Sequence, residues 1–471
     1  MAVRATRYEQ VADRILNLIH NGVLKEGEKI PSIRKLSREL CVSINTVKEA
    51  YWRLENQNYI VAVPQSGFYV QKQLPIGTEH STTEPRELDP QEDSLCRIYG
   101  AYQNNGRCTP EISLGIAALN PRFWPTEKMG RLFQEALRDQ TYEAYNYLMA
   151  PGDLGLREQI SRLGLASGLN LSPEEIIITN GCHEAVFIAL MTICKPGDTV
   201  VFESPIYFNL LQLLKQLNLR LIELPSSSAE GINLDTLRFV LDNHPVKAMF
   251  SISNFNNPMG FSMPHEKKKK LVQLLTEYHT PLIEDDIYGD ISFRKRPDTC
   301  KAYDIEENIL LCSSFSKTIA PGLRIGWIVP GRYYDPVIKM KTLLNIATGS
   351  VNQIAVARFL KEGGYERHLR TLKKNLQSQV FAMRAAILKY FPSGTRVTAP
   401  EGGFLLWIVL PKGTDTSRIY EEALKEDILI APGRMFSVKE QYTNCMRLNA
   451  GIWNDRVDAA LRHLGALCRH P

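Results

Sequence analysis

Apolar residues along this chain keep one spacing near its start and another through its larger part. Tyr8, Val11, Ile15, Leu18 and Ile19 recur at three- and four-residue steps, which predicts a helix with one apolar face. Asn21-Gly22 ends it, and Pro31-Ser32 opens a second helix with Ile33, Leu36 and Leu40 on one side. After the turn Cys41-Val42-Ser43, a third helix is expected to hold Ile44, Val47, Tyr51 and Leu54 inward. Residues 59–63 and 68–70 read as two strands around Pro64-Gln65-Ser66-Gly67, a hairpin wing. From 71 to 111 large aliphatics are few and Pro75, Pro85, Pro90 and Pro110 intervene, which predicts a linker.

Past residue 171 the period changes. Short apolar runs at 176–179, 199–202, 219–224, 248–253, 281–283, 309–312 and 325–329 alternate with helical stretches. That alternation predicts an α/β body built on a mostly parallel, seven-stranded sheet with helices on both faces. Functional residues in such folds collect at the loops beyond the strands.

Composition narrows the classes. Apolar content of 44% and charged content of 23% are those of a globular protein. The densest apolar run, 404–410, falls far short of the ~20 residues of a membrane span, so no membrane partner is expected. Arg4 and Arg7 precede no apolar signal segment, and the nine cysteines show neither paired nor zinc-type spacing. Reduced thiols, no metal and a cytoplasmic location are expected. The net charge of +5 is unevenly spread: residues 1–72 hold eleven basic against seven acidic groups, whereas 73–110 hold three against six.

A basic head on an acidic tether fits a nucleic-acid-binding module. Helix, short turn, helix is the plan whose second helix enters the major groove. Asn45, Thr46 and Lys48 face outward near its start, with Ser43 as N-cap beside a phosphate. Arg34 and the wing's Gly67 complete the expected DNA-facing set. Taken alone, the pattern also suits a three-helix protein-interaction module. PSIRKLSRELCVSINTVKEAYWRLENQNYI…GFYV resembles the winged helix-turn-helix of the GntR family, over nearly all of residues 8–70. Ile44 stands where that family often has arginine, and the wing reads QSGFYV instead of GxGTFV.

In the body, the run 309–312 ends at a Ser-rich turn carrying Lys317, and Pro321-Gly322 breaks the chain before the next run. A lysine where a strand gives way to a loop can lose hydration and become nucleophilic, although most lysines after strands are surface groups. Ser314-Phe315-Ser316-Lys317 followed by Pro321-Gly322-Leu323-Arg324 resembles the lysine segment of fold-type I aminotransferases. The resemblance implies that Lys317 forms the internal aldimine with pyridoxal 5'-phosphate while Ser314, Ser316 and Arg324 hold the phosphate. Gly181-Cys182-His183, a Gly turn opening a helix, offers free backbone N–H groups to the same phosphate. Tyr207 offers a ring that stacks on a pyridine.

Asn256-Asn257-Pro258-Met259-Gly260 resembles the NPxG turn of these enzymes, placing Asn257 at the cofactor's phenolic oxygen. Asp285 and Tyr288 match D-x-x-Y, which implies an acid under the ring nitrogen and a phenol near the same oxygen. A carboxylate there keeps the ring protonated and makes it an electron sink, so Lys317, Asp285 and Tyr288 form the expected catalytic set. Tyr147 resembles the tyrosine that reaches a neighbouring subunit's phosphate, which implies a homodimer, and Arg447 the arginine that clamps a substrate carboxylate. Asp286 is expected in a solvated loop, Lys267 to Lys270 on a solvated helix face, and His183 as a supporting or surface group.

A GntR-type head, 1–72, a linker, 73–111, and an aminotransferase-like body, 112–471, with a small α+β subdomain from about 364, is the plan of MocR-type regulators. It implies a regulator of a double-stranded DNA operator that senses an amine or amino acid by aldimine exchange. An active aminotransferase carrying a DNA-binding domain stays open, because fold and cofactor do not decide function.

Overall fold

The computed structural model describes residues 7–20, 24–25, 27–56, 59–63, 66–70 and 111–469, so the linker expected at 73–111 lies outside the described residues apart from Glu111. The chain divides into two units, residues 1–82 and 83–471.

The head holds α1 (Arg7–His20), α2 (Ile33–Glu39) and α3 (Ile44–Asn56), followed by the antiparallel hairpin β1 (Ile60–Val63) and β2 (Gly67–Val70). Ser32 caps α2, accepting from the Lys35 amide at 3.3 Å, and Ser43 caps α3, accepting from the Thr46 amide at 3.0 Å. Val11, Ile15, Leu36, Val47, Tyr51, Leu54, Ile60 and Val70 pack together inside. Ile44 departs from expectation: it is 46% exposed. It opens α3 on the apolar stripe, one turn before that stripe begins to pack at Val47.

The body's large sheet follows the order β4 (Ile177–Thr179), β11 (Gly326–Val329), β10 (Ile309–Ser314), β9 (Leu282–Asp285), β8 (Val246–Ser251), β5 (Thr199–Ser204), β6 (Arg220–Ser227), β7 (Gly231–Ile232). Strands β10, β9, β8, β5 and β6 pair in parallel, while β11 runs against both β4 and β10. The sheet has eight strands where seven were expected. The additional one, β7, is two residues long and leaves no apolar pattern to read.

Continuous apolar runs form these strands because both faces are covered. Val200, Phe202, Phe250, Ile283 and Leu310 face the helices Cys182–Ile193 and Phe208–Gln216. Their neighbours Val201, Met249, Leu282 and Ile309 face Leu234–Asn243 and His265–Glu277. A second sheet, ordered β12 (Arg396–Val397), β13 (Leu405–Val409), β16 (Cys445–Asn449), β15 (Ala431–Pro432), packs on Gly364–Tyr390, Thr416–Lys425 and Asp455–Leu467. The first residues of the body pack on the same core: β3 (Ile112–Ser113) pairs in parallel with β14 (Ile428–Leu429) as a separate two-stranded sheet, and Leu114 is buried there. Among the described residues no helix is long and apolar enough to cross a membrane.

Two charged groups expected in water are buried. Lys268 Nζ donates to Asn254 Oδ1 at 2.5 Å and to the Asp298 carbonyl at 2.7 Å. Asp286 accepts from Asn254 Nδ2 at 2.8 Å and pairs with Arg296 Nη2 at 2.5 Å. Neighbouring sequence shows the charge but not a partner that folding brings from elsewhere. Removing one member of a buried charged network leaves the others unpaired. Lys268→Ala is therefore expected to cost about 3–5 kcal/mol of unfolding free energy, and exposed Lys269→Ala less than about 1 kcal/mol, compared by denaturant titration.

Candidate functional site

The parallel strands deliver their C-terminal ends to one edge of the large sheet, and the expected residues gather there. After β10 the chain turns through Phe315–Lys317, anchored by Phe315, whose ring lies 4.8 Å from Trp327 and 5.7 Å from Tyr365. Lys317 Nζ donates to the Ala117 carbonyl at 2.5 Å. Burial, reinforced by the charge of Arg447, brings its pKa from 10.5 down to about 8 against the pull of Asp285. Roughly a tenth of the amine is then free base at neutral pH.

Asp285 closes β9. Its Oδ1 accepts from Cys182 Sγ at 3.3 Å and from the Ile287 amide at 3.0 Å, which leaves Oδ2 without a hydrogen bond among the described residues. Burial raises its pKa to about 6, and those two donors hold it from going higher. Tyr288 is fully buried, edge-on to Phe404 at 5.8 Å, and burial pushes its phenol well above its ordinary range.

Asn257 Oδ1 accepts from Arg447 Nη1 at 2.8 Å. Arg447 is wholly buried between the rings of Phe208 and Phe436, 5.7 and 5.1 Å from its guanidinium carbon. Its Nη2 donates to the Gly115 carbonyl, and its Nε finds no hydrogen-bond partner among the described residues. The turn carrying Asn257 is itself held by a buried carboxylate: Glu203 Oε1 accepts from Asn256 Nδ2 at 2.9 Å and from the Ile252 amide at 2.6 Å. Burial raises Glu203 to about 7.

A cradle lies beside the lysine. Cys182–Ile193 begins at Gly181, φ +89°, with no side chain capping its first turn. Arg324, in the left-handed region at φ +52°, reaches over that turn to the Asn180 carbonyl at 2.6 Å and to Ser316 Oγ at 3.5 Å. A Cβ at Gly181 would lie 2.5 Å from Arg324 Nη2, and one at Gly326 2.4 Å from the Gly181 carbonyl carbon. Two glycines thus keep open a helix N-terminus faced by a guanidinium, which suits a phosphate. Ser314 Oγ accepts from the Ser316 amide at 3.3 Å and shapes the lysine turn.

Lys317, Asp285, Tyr288, Asn257, Cys182, Arg324 and Arg447 are brought together in one cluster, with Tyr207 half-buried at the start of Phe208–Gln216 and close enough to act on Tyr288. His183 is exposed at the cradle's rim. Tyr147 is 69% exposed, and no hydrogen bond joins it to the cluster within one chain. In the head, Arg34, Asn45 and Lys48 are exposed, whereas Ser43 and Thr46 share a hydroxyl hydrogen bond at 2.8 Å; Gly67 turns the wing at φ +122°. Sequence reasoning gave no role to Glu203, to the Cys182 thiol or to the backbone carbonyls of Gly115 and Ala117. Only Glu203 left a signal, an acid closing an apolar strand.

Comparison with known proteins now places the chain. Residues 120–464 match Aminotransferase class I and II, and residues 7–70 match Bacterial regulatory proteins, gntR family. The chain belongs to the aminotransferase class I and II family and carries a gntR-family head, the MocR-type architecture. It is similar to the HTH-type transcriptional regulators YjiR and YdcR of Escherichia coli K12. These are 37% identical over 472 residues and 34% over 463, in each case covering 98% of both chains. Among solved structures it resembles Pyrococcus horikoshii kynurenine aminotransferase in complex with PMP, at 28% identity and a TM-score of 0.74, covering 81% of this chain and 95% of that one.

The thiol beneath Asp285 is testable. Cys182→Ala removes a donor that favours the carboxylate, so the pKa of Asp285 rises above about 6, by roughly one unit; Cys182→Ser restores it. Carbon-13 NMR titration of the aspartate carboxyls reads both.

Proposed function

We propose that the protein is a DNA-binding transcription regulator whose body holds pyridoxal 5'-phosphate and senses an amine or amino-acid ligand at Lys317. One observation carries the reading. A lysine amine with a lowered pKa, a half-buried acid with a raised one and a phosphate cradle stand together in a chain whose head exposes Asn45 and Lys48 at the start of a recognition-type helix. The names of YjiR and YdcR support regulation, and the PMP complex of the kynurenine enzyme supports the cofactor.

The Gly181–Cys182–His183 amides and Arg324 would hold the phosphate, with Ser314 and Ser316 shaping the turn beside it. Asp285 would face the ring nitrogen, Asn257 and Tyr288 the phenolic oxygen, and Tyr207 the ring. Bound there, pyridoxal phosphate supplies a carbonyl carbon that condenses with amines. Lys317 is the resident amine. A ligand amine would compete with the Lys317 amine for that carbon, and Lys317, released, would stand as the free amine beside Asp285. Arg447 is the cation available to a ligand carboxylate.

Tyr147 would act in a second copy of the chain. Tyr142, Tyr145, Tyr147 and Met149 are exposed together, and a bridge from Met149 to Ala347 joins them to exposed Leu343, Leu344 and Ile346. An apolar group of that size marks a contact surface, and a homodimer covers it.

Two measurements test the reading. Duplexes selected by the full-length protein from a random pool serve as operator. Lys48→Ala is expected to weaken binding by about 1–3 kcal/mol if it reads a base edge, with affinity falling steeply as salt rises. L-amino acids titrated into the cofactor-loaded protein are expected to shift operator affinity by about 5–150-fold, and Lys317→Ala to remove most of that shift. Equal shifts in both proteins would overturn sensing at Lys317. Cofactor uptake by the cofactor-free protein should quicken roughly tenfold between pH 7 and 9, because the Lys317 amine sheds its proton near 8.

A further inference from the structure

A carboxylate stands in the first turn of the cradle. Glu184 is the third residue of the helix Cys182–Ile193, and its side chain turns back on Asn180. Oε2 accepts from the Asn180 amide at 2.7 Å, and Oε1 accepts from Asn180 Nδ2 at 3.1 Å. Asn180 is thereby held by its amide and its side chain, while its carbonyl accepts from Arg324 Nη2 at 2.6 Å. An acid in this turn works against a bound phosphate. Both draw on the same helix N-terminus, and the two negative groups repel each other.

Lys341 answers that charge. It lies on the helix Tyr334–Asn345, 157 positions from Glu184, and only 1% of its side chain meets solvent. Its Nζ donates to Glu184 Oε2 at 3.0 Å, to Asn345 Oδ1 at 2.6 Å and to Thr348 Oγ1 at 3.0 Å. Asn345 Nδ2 in turn donates to Glu184 Oε1. Four donors therefore meet the two oxygens of Glu184, which suits an acceptor-only carboxylate. Burial lowers the pKa of Lys341, and Glu184 is the group that opposes the shift.

We propose that Glu184 and Lys341 are positioning residues of the cradle. Glu184 fixes Asn180, whose carbonyl aims Arg324 at the phosphate, and Lys341 cancels the carboxylate's charge so that the cradle accepts a phosphate dianion. This rests on the reading of the cradle as the seat of pyridoxal phosphate. Each residue has a separate duty. The carboxylate supplies geometry at the cost of a misplaced charge, and the ammonium removes that cost from a remote helix. Losing Lys341 leaves Glu184 as an unbalanced anion beside the phosphate.

The test compares pyridoxal phosphate with pyridoxal, which carries a hydroxyl in place of the phosphate, on the cofactor-free full-length protein. Both present the same carbonyl to Lys317, so the ratio of their dissociation constants, read by absorbance titration, isolates the phosphate. Lys341→Met removes charge and hydrogen bonds, and Lys341→Gln removes the charge but keeps donors, should the first variant fail to fold. Either is expected to cut the preference for the phosphorylated compound by about tenfold and to leave pyridoxal affinity within about twofold. Adding Glu184→Gln to either variant is expected to restore most of the preference, because the pair is then neutral again. Equal losses for both compounds, an unchanged preference, or a double variant as impaired as the single one would overturn the proposal. A wild-type protein that takes up neither compound would instead overturn the cofactor reading, and this proposal with it.

Discussion

An ammonium group is costly to take out of water, and the body is arranged around one that has been. Lys317 lies at the mouth of the sheet with its charge disfavoured by burial and by Arg447, and its proton is correspondingly loose. The surrounding features keep it there. Phe315 nails the turn into the core, β10 and β11 fix where the turn begins and ends, and the Ala117 carbonyl takes the proton donor that water would otherwise meet. Asp285 supplies an opposing charge that is itself loosened by burial. Amine and acid are each moved toward neutrality, the condition under which both can exchange protons near physiological pH.

The parts of this fold that could be read in the sequence are those where a side chain's own character decides its place. Seven apolar runs were legible because each strand is covered on both faces, and the head because its helices bury one stripe each. What escaped depends on partners remote in sequence. Asp286 reads as solvated until Arg296 and Asn254 are beside it, and Lys268 looks like its three neighbours until the helix turns it inward. Ile44 escaped for a different reason: its residue type fits the stripe, but the stripe does not pack at that end.

The site divides in the same way. Lys317, Asp285, Tyr288, Asn257 and Arg447 stand in motifs whose chemistry is carried by side chains, and the structure brings them together. Cys182 sits in one of those motifs as a provider of backbone N–H, yet its thiol lies against Asp285, a contact across 103 positions that no local pattern announces. The backbone carbonyls of Gly115 and Ala117 are harder still. Every residue owns a carbonyl, so nothing in the letters of residues 115–118 distinguishes acceptors that face a lysine and an arginine from those that face water.

The reversal of β11 has a consequence of its own. Had it paired in parallel with β10, the chain would have left this edge and crossed to the far end of the sheet before returning. Because β11 runs against β10, the connection from Phe315 to Ile325 stays at the functional edge and carries both Lys317 and Arg324. The amine and the guanidinium are thus two jaws of a single short loop, braced at both ends by the same pair of strands. Such a loop works as a calliper: the pair of strands that braces it sets how far apart its amine and its guanidinium stand, and neither can shift along the edge without the other.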